Sequence, residues 1–316
     1  MRASITATAS AQRSAVRLVD MKFHHKLIEF IICLSTGIAS AALAQDAVFL
    51  PGSGGMQLKA WHYKPSGHGD PKPVVIALHG CGGLYATSGE RKGLLNARHH
   101  AMGQMLADQG YHAVFLDSFG SRGIDGVCSE AQRLKNGIRV STDERRSDTL
   151  AALAWVRTQP WADSQGNNIA LLGWSQGAQA LLASTDARNS SVKASGIPFK
   201  TAVAFYPGCV EAVRTGYRPN TALTLLLGAD DDWTLPEPCI KLGEQLQAKG
   251  DDVTVKVYPS AVHGFDNPNL GITTRNDVPS RSAARAGQGV QSGQNPAAWE
   301  DSWALLRKIL KKAFQP

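Results

Sequence analysis

Five consecutive residues, Gly173-Trp174-Ser175-Gln176-Gly177, have the types and spacing to make a serine hydroxyl reactive. The apolar run 168–172 precedes them and the helix-forming run Ala178-Gln-Ala-Leu-Leu-Ala follows, so the pentapeptide falls between a strand and a helix. Such a turn forces its serine into a strained backbone conformation, and the residues two positions away on either side must be small to clear it. The hydroxyl then stands above the sheet edge at a helix N-terminus. The plainer alternative is a glycine-rich helix start with Ser175 as its cap.

An alcohol near neutral pH is a weak nucleophile, so Ser175 needs a base, and the base needs an orienting acid. His263 is the only histidine after Ser175, in Ser260-Ala-Val-His-Gly-Phe265 at the end of the alternating strand 253–258. Between the two, the apolar run Thr224-Leu-Leu-Leu runs into Gly228-Ala-Asp230-Asp231-Asp232-Trp233-Thr234. Three consecutive aspartates compete for the acid. A G-x-x-D spacing from Gly228 selects Asp231, and a D-x-x-x-P spacing to Pro236 selects Asp232. No cofactor is expected of such a trio. No metal is expected either: His99-His100 is the densest histidine pair beyond residue 44, and adjacent helical residues face apart.

The elements that must position these residues can be read from periodicity and caps. An antiparallel pair over 47–50 and 56–63 opens the series. Val74-Val-Ile-Ala-Leu78 is apolar throughout, as expected of a strand buried on both faces. Further strands are predicted at 111–116, 168–172, 201–206, 223–227 and 253–258. Helices are predicted at 96–109, from Thr142 to just before Pro160, and at 176–185, 237–248 and 296–314, the last with Asn295 as cap and Pro296 at its first position. Alternating strands and helices predict an α/β fold with a mainly parallel, doubly wound sheet. Ligands bind such sheets beyond the C-terminal ends of the strands. Only about fifteen residues separate the strands near Tyr206 and Ala222, too few for a cap domain. A shallow, lidless site is therefore expected, overhung by the connections 118–141 and 264–295. The second connection, rich in Gly, Ser, Asn and Arg, is expected to be mobile.

Residues 1–44 read as a secretory signal peptide. A basic Met21-Lys-Phe-His-His-Lys26 precedes an apolar stretch, and Ala42-Leu43-Ala44 supplies an A-x-A cleavage signature. Met21 is a candidate true start, which would leave residues 1–20 upstream of the gene product. The apolar stretch is short and contains Glu29, so no stable membrane insertion is expected after cleavage, and a periplasmic or secreted location follows. Residues 45–316, about 270 in number, suit a single domain. The first 44 residues hold five Lys/Arg against two Asp/Glu, so the remainder carries +4 of the chain's +7. That charge is scattered, without basic runs interleaved with aromatics, which argues against a nucleic-acid partner. Four cysteines remain beyond residue 44, an even count that suits two disulfides in an oxidising compartment.

His79-Gly-Cys-Gly-Gly83, Asp117-Ser-Phe-Gly-Ser-Arg-Gly123, the Ser175 pentapeptide, Gly228-Ala-Asp-Asp-Asp-Trp-Thr234 and His263-Gly-Phe-Asp266 occur in this order. Together they resemble the dienelactone hydrolase family of the α/β-hydrolase superfamily, over residues 46–314. The resemblance implies an eight-stranded α/β-hydrolase domain without a cap, with Ser175 as nucleophile, His263 as base and Asp231 as acid, Asp232 remaining the alternative. It implies an oxyanion site made by the backbone N–H groups of Cys81 and Gln176. In that fold Cys81 and Cys128 follow neighbouring strands, as do Cys209 and Cys239, so the implied pairs are Cys81–Cys128 and Cys209–Cys239. His79 is implied to brace its loop. Arg122, Trp174 and Trp233 are candidate pocket residues, with Phe119, Tyr206 and Phe265 near the same strand ends. Founding members of the family carry cysteine where this chain has Ser175, so the resemblance implies hydrolase chemistry on a small ester or lactone rather than the founding dienelactone. A peptidase or amidase on the same residues, a polysaccharide esterase and a non-catalytic binding protein are the alternatives, because fold alone does not select among them.

Overall fold

The computed structural model describes residues 45–315 except 67–70, 164–166 and 197. The expectations for residues 1–44 lie outside the described residues. In chain order the elements are β1 (Gln45–Pro51), β2 (Gln57–Tyr63), β3 (Val74–Leu78), α1 (Ala97–Asp108), β4 (His112–Leu116), α2 (Glu130–Asn136), α3 (Thr142–Val156), β5 (Ile169–Trp174) and α4 (Gln176–Ser184). They continue with α5 (Ser190–Ala194), β6 (Thr201–Phe205), α6 (Val210–Thr215), β7 (Ala222–Gly228), α7 (Glu237–Gln247), β8 (Val253–Tyr258), β9 (Thr273–Pro279), β10 (Gly289–Ser292) and α8 (Pro296–Ala313).

Eight strands form one sheet in the order β1-β2-β4-β3-β5-β6-β7-β8. β1, β2 and β4 pair antiparallel, and every pair from β4 to β8 is parallel. All residues of β3, β4, β5 and β6 are buried, because helices cover both faces. One apolar cluster joins the sheet to α3, α4 and α7 through Leu153, Leu181 and Leu242. The other joins it to α1 and α8 through Met102, Leu106, Leu306 and Leu310. Helix starts are set by side-chain caps. Asn295 accepts the Ala298 N–H at 3.0 Å ahead of Pro296, and Ser141, one residue before the expected start, accepts the Glu144 N–H at 3.3 Å.

The two overhanging connections carry structure that the sequence patterns do not show. The segment 264–295 contains the antiparallel hairpin β9–β10. Asp232 anchors it, accepting from Gln291 N–H at 2.8 Å and Arg285 Nε at 2.7 Å, while its own carbonyl accepts Arg281 N–H at 2.8 Å. Arg281, in the hairpin's connection, and the 118–141 segment, stiffened by α2 and the Cys81–Cys128 disulfide, border a groove of about 1090 Å³. Between β6 and β7 only α6 intervenes, without a cap domain.

Candidate active site

Ser175 sits between β5 and α4 with φ 54° and ψ −118°, a left-handed conformation that L-residues adopt only under constraint. The flanking glycines permit it. A Cβ at Gly173 would lie 2.6 Å from the Gly177 carbonyl oxygen, and one at Gly177 would lie 2.1 Å from the Leu78 carbonyl oxygen. Ser175 is 8% exposed, and its N–H donates to the Phe205 carbonyl at 2.9 Å, tying the turn to β6.

His263 follows β8 and approaches Ser175 because β7 ends in Gly228, where a Cβ would fall 2.3 Å from the Ala261 carbonyl oxygen. His263 Nε2 lies 3.0 Å from Ser175 Oγ and Nδ1 lies 2.8 Å from Asp231 Oδ2. With the proton on Nδ1, the imidazole donates to the carboxylate and accepts from the hydroxyl. Asp231 Oδ1 accepts the N–H groups of Trp233 (2.9 Å) and Thr234 (2.8 Å), and Oδ2 also accepts the Thr234 hydroxyl at 2.9 Å. Tyr206 packs edge-on against the imidazole at 4.6 Å, and Trp233 tilts over it at 4.7 Å.

The loop after β3 closes against this turn. A Cβ at Gly80 would lie 3.3 Å from the Trp174 carbonyl and 3.4 Å from Ser175 Cβ. Cys81 and Gln176 line the groove together with Ser175. As the first residue of α4, Gln176 has no acceptor for its N–H within the helix. Cys81 is bonded to Cys128, its carbonyl accepts the Val127 N–H at 2.9 Å, and Cys209 is bonded to Cys239. Buried His79 donates to the Gly80 carbonyl at 2.8 Å, and its burial holds its pKa well below the ordinary value, so the ring is neutral.

The pocket expectations divide. Trp233 lines the groove. Arg122 does not: its guanidinium is bidentate to Asp148 at 2.8 and 2.9 Å and donates to the Ser118 carbonyl, so it braces the 118–141 segment. Trp174 is fully buried and donates from its indole nitrogen to Asp266 at 2.7 Å. Phe119, Tyr206 and Phe265 are likewise buried in the core. Asp266, which sequence places only as the last residue of the His263-Gly-Phe-Asp266 motif, proves to be a hub. It accepts the Tyr206 hydroxyl at 2.6 Å as well as Trp174, with Arg98 3.8 Å away, and so locks the ends of β5 and β6 to the histidine loop.

A mostly parallel sheet of this strand order, with a strained serine between β5 and the following helix, defines an α/β-hydrolase. The dienelactone hydrolase family model matches residues 58–314, and the chain belongs to that family; it is a hydrolase. Among solved structures, a Klebsiella pneumoniae protein assigned as a dienelactone hydrolase superposes with a TM-score of 0.63 at 17% identity, covering 86% of this chain and 99% of that one. A dienelactone hydrolase-like promiscuous phosphotriesterase, P91, from metagenomic libraries gives 0.60 at 20% identity, over 86% and 100%. Thermogutta terrifontis esterase 2, phosphoramylated by tabun, gives 0.53 at 16% identity, over 84% and 94%. At these identities the likeness is one of fold. No curated protein matches the chain.

Proposed function

We propose that residues 45–316 are a single exported hydrolase domain that cleaves a small carboxylic ester or lactone, or the ester end of a larger molecule, through an acyl-enzyme on Ser175. The observation that carries this reading is the hydrogen-bond chain Ser175–His263–Asp231, at 3.0 and 2.8 Å, on a turn whose glycines tolerate no side chain. Ser175 Oγ attacks the acyl carbon while His263 Nε2 takes its proton, and Asp231 stabilises the imidazolium. The acyl oxygen, now an anion, is held by the N–H groups of Cys81 and Gln176. The tetrahedral intermediate collapses as His263 returns the proton to the leaving alcohol. Water, deprotonated by the same imidazole, then releases the acid and restores the serine. Export is supported by the two disulfides. No helix among the described residues is long and apolar enough to cross a membrane.

The test works whatever the substrate is. Residues 45–316 are produced with export to an oxidising compartment and exposed to a fluorophosphonate probe beside Ser175→Ala, with the adduct mapped by peptide mass spectrometry. The expected result is stoichiometric labelling at Ser175, absent in the variant. A folded protein that stays unlabelled would favour the binding-protein alternative. A panel of matched esters and amides then separates esterase from amidase.

A further inference from the structure

Arg145 lies in the first turn of α3 and is only 1% exposed. Its Nη2 donates to the His79 carbonyl at 2.8 Å, and its Nη1 donates to the Gln176 side-chain carbonyl at 3.3 Å. The guanidinium lies over the Phe119 ring at 5.2 Å, and His79 packs edge-on against that same ring. Nε has no hydrogen-bond partner among the described residues. Asp148, the carboxylate that acts on it electrostatically, is engaged bidentately by Arg122. Arg145 thus spends its hydrogen bonds on neutral oxygens. Burial lowers its pKa to about 10, Asp148 opposing and Arg122 adding to the effect, so it remains a cation at neutral pH.

Such a placement is costly on two counts. A buried charge whose nearby carboxylate is already engaged by another arginine is expensive, and a cation near a helix N-terminus opposes the helix dipole. The two groups it holds belong to the segments His79-Gly80-Cys81 and Gln176, of which Cys81 and Gln176 line the groove with Ser175.

We propose that Arg145 is a positioning residue for the oxyanion site: it ties together the two segments that carry the N–H donors, and its fixed positive charge is balanced when the acyl oxygen becomes negative. The proposal rests on the reading of Ser175 as nucleophile and of the Cys81 and Gln176 amides as donors. A fixed charge buried behind the two donor segments acts on the tetrahedral intermediate far more than on the neutral ester. Its loss should therefore appear in kcat and leave KM nearly untouched.

The experiment compares wild type, R145Q, R145K and Q176E. Q176E keeps the backbone donor and sets a carboxylate against Arg145, neutralising it without emptying a core position. Three readouts are taken: hydrolysis of p-nitrophenyl acetate, labelling by the fluorophosphonate, and inhibition by an alkyl trifluoromethyl ketone, whose serine adduct is an oxyanion. The expected result for R145Q and Q176E is a kcat lower by about 10- to 100-fold, with KM within about threefold and ketone affinity weakened in proportion. R145K recovers part of the loss. If R145Q does not fold, Q176E carries the comparison. Folded variants with unchanged kcat and ketone affinity overturn the proposal, as does a loss confined to melting temperature. Wild type that the fluorophosphonate fails to label overturns the nucleophile reading and this proposal together. Labelled wild type with indifferent variants overturns this proposal alone.

Discussion

Asp231 and Asp232, both 2% exposed, point to different structures: the first accepts from His263, the second from the hairpin β9–β10. Asp231→Asn is therefore expected to cut kcat by about 10²- to 10⁴-fold, since the imidazolium loses its charged partner and its tautomer is no longer set. Asp232→Asn should cost less than about tenfold, with the change falling mainly on KM as the hairpin loosens; steady-state kinetics on one chromogenic ester separates the two. Gly177→Ala should lower both melting temperature and serine labelling, because the new methyl meets backbone rather than a movable side chain. The proposed nucleophile and base are legible in sequence because a G-x-S-x-G turn and a lone downstream histidine admit few readings. The acid stays between two candidates there, because three consecutive aspartates differ only in where the chain turns after Gly228. Arg122 looks available in sequence because its partner, Asp148, lies 26 residues away on α3. Trp174 misleads for another reason: β5 is apolar on both faces, so alternation does not tell core from groove.

The elements are easiest to read where burial is two-sided and caps are polar, as in β3 and α8. The hairpin β9–β10 is hidden because its sequence has weak strand character; what orders it is contact with Asp232 and a bridge between His263 and Ser292. Limited proteolysis should cut Asp232→Asn within 273–292 sooner than wild type. In the eight-stranded sheet, the neighbouring strands β2 and β4 carry a buried pair, His62 and His112, joined nitrogen to nitrogen at 2.8 Å and packed against Trp161. Burial lowers their pKa values to about 3 and about 4; mutual repulsion adds at His62, and Lys64 and Lys72 add at His112. In the unfolded chain both titrate near the ordinary value of about 6.5, so between about pH 6.5 and 4 unfolding takes up protons. Stability contributed by the neutral pair is full above pH 6.5 and is lost as pH falls. Melting temperature should drop across that range, and His112→Gln should flatten the slope; equal slopes would remove the pair as the cause.

For the molecule as a whole, the two disulfides close intervals of 47 and 30 residues, and loop-closure entropy values each at about 4 kcal/mol before strain. Reduction of the folded protein should lower its melting temperature by several degrees or more, and an identical melt in reductant would show that neither bond constrains the unfolded chain. Cys81, Cys128 and Cys209 also line the groove, so reduction should depress serine labelling before the fold is lost. The junction between Asp231 and Asp232 bears on how new specificities could arise here. The β9–β10 hairpin hangs from the neighbour of the residue proposed to orient the base, separated from it by one peptide bond. Hairpins exchanged with the Arg285 and Gln291 contacts to Asp232 retained would vary substrate range while reactivity holds. Hairpins exchanged without them would change both together, so a library selected for a new ester should return that anchor nearly intact whatever else it alters.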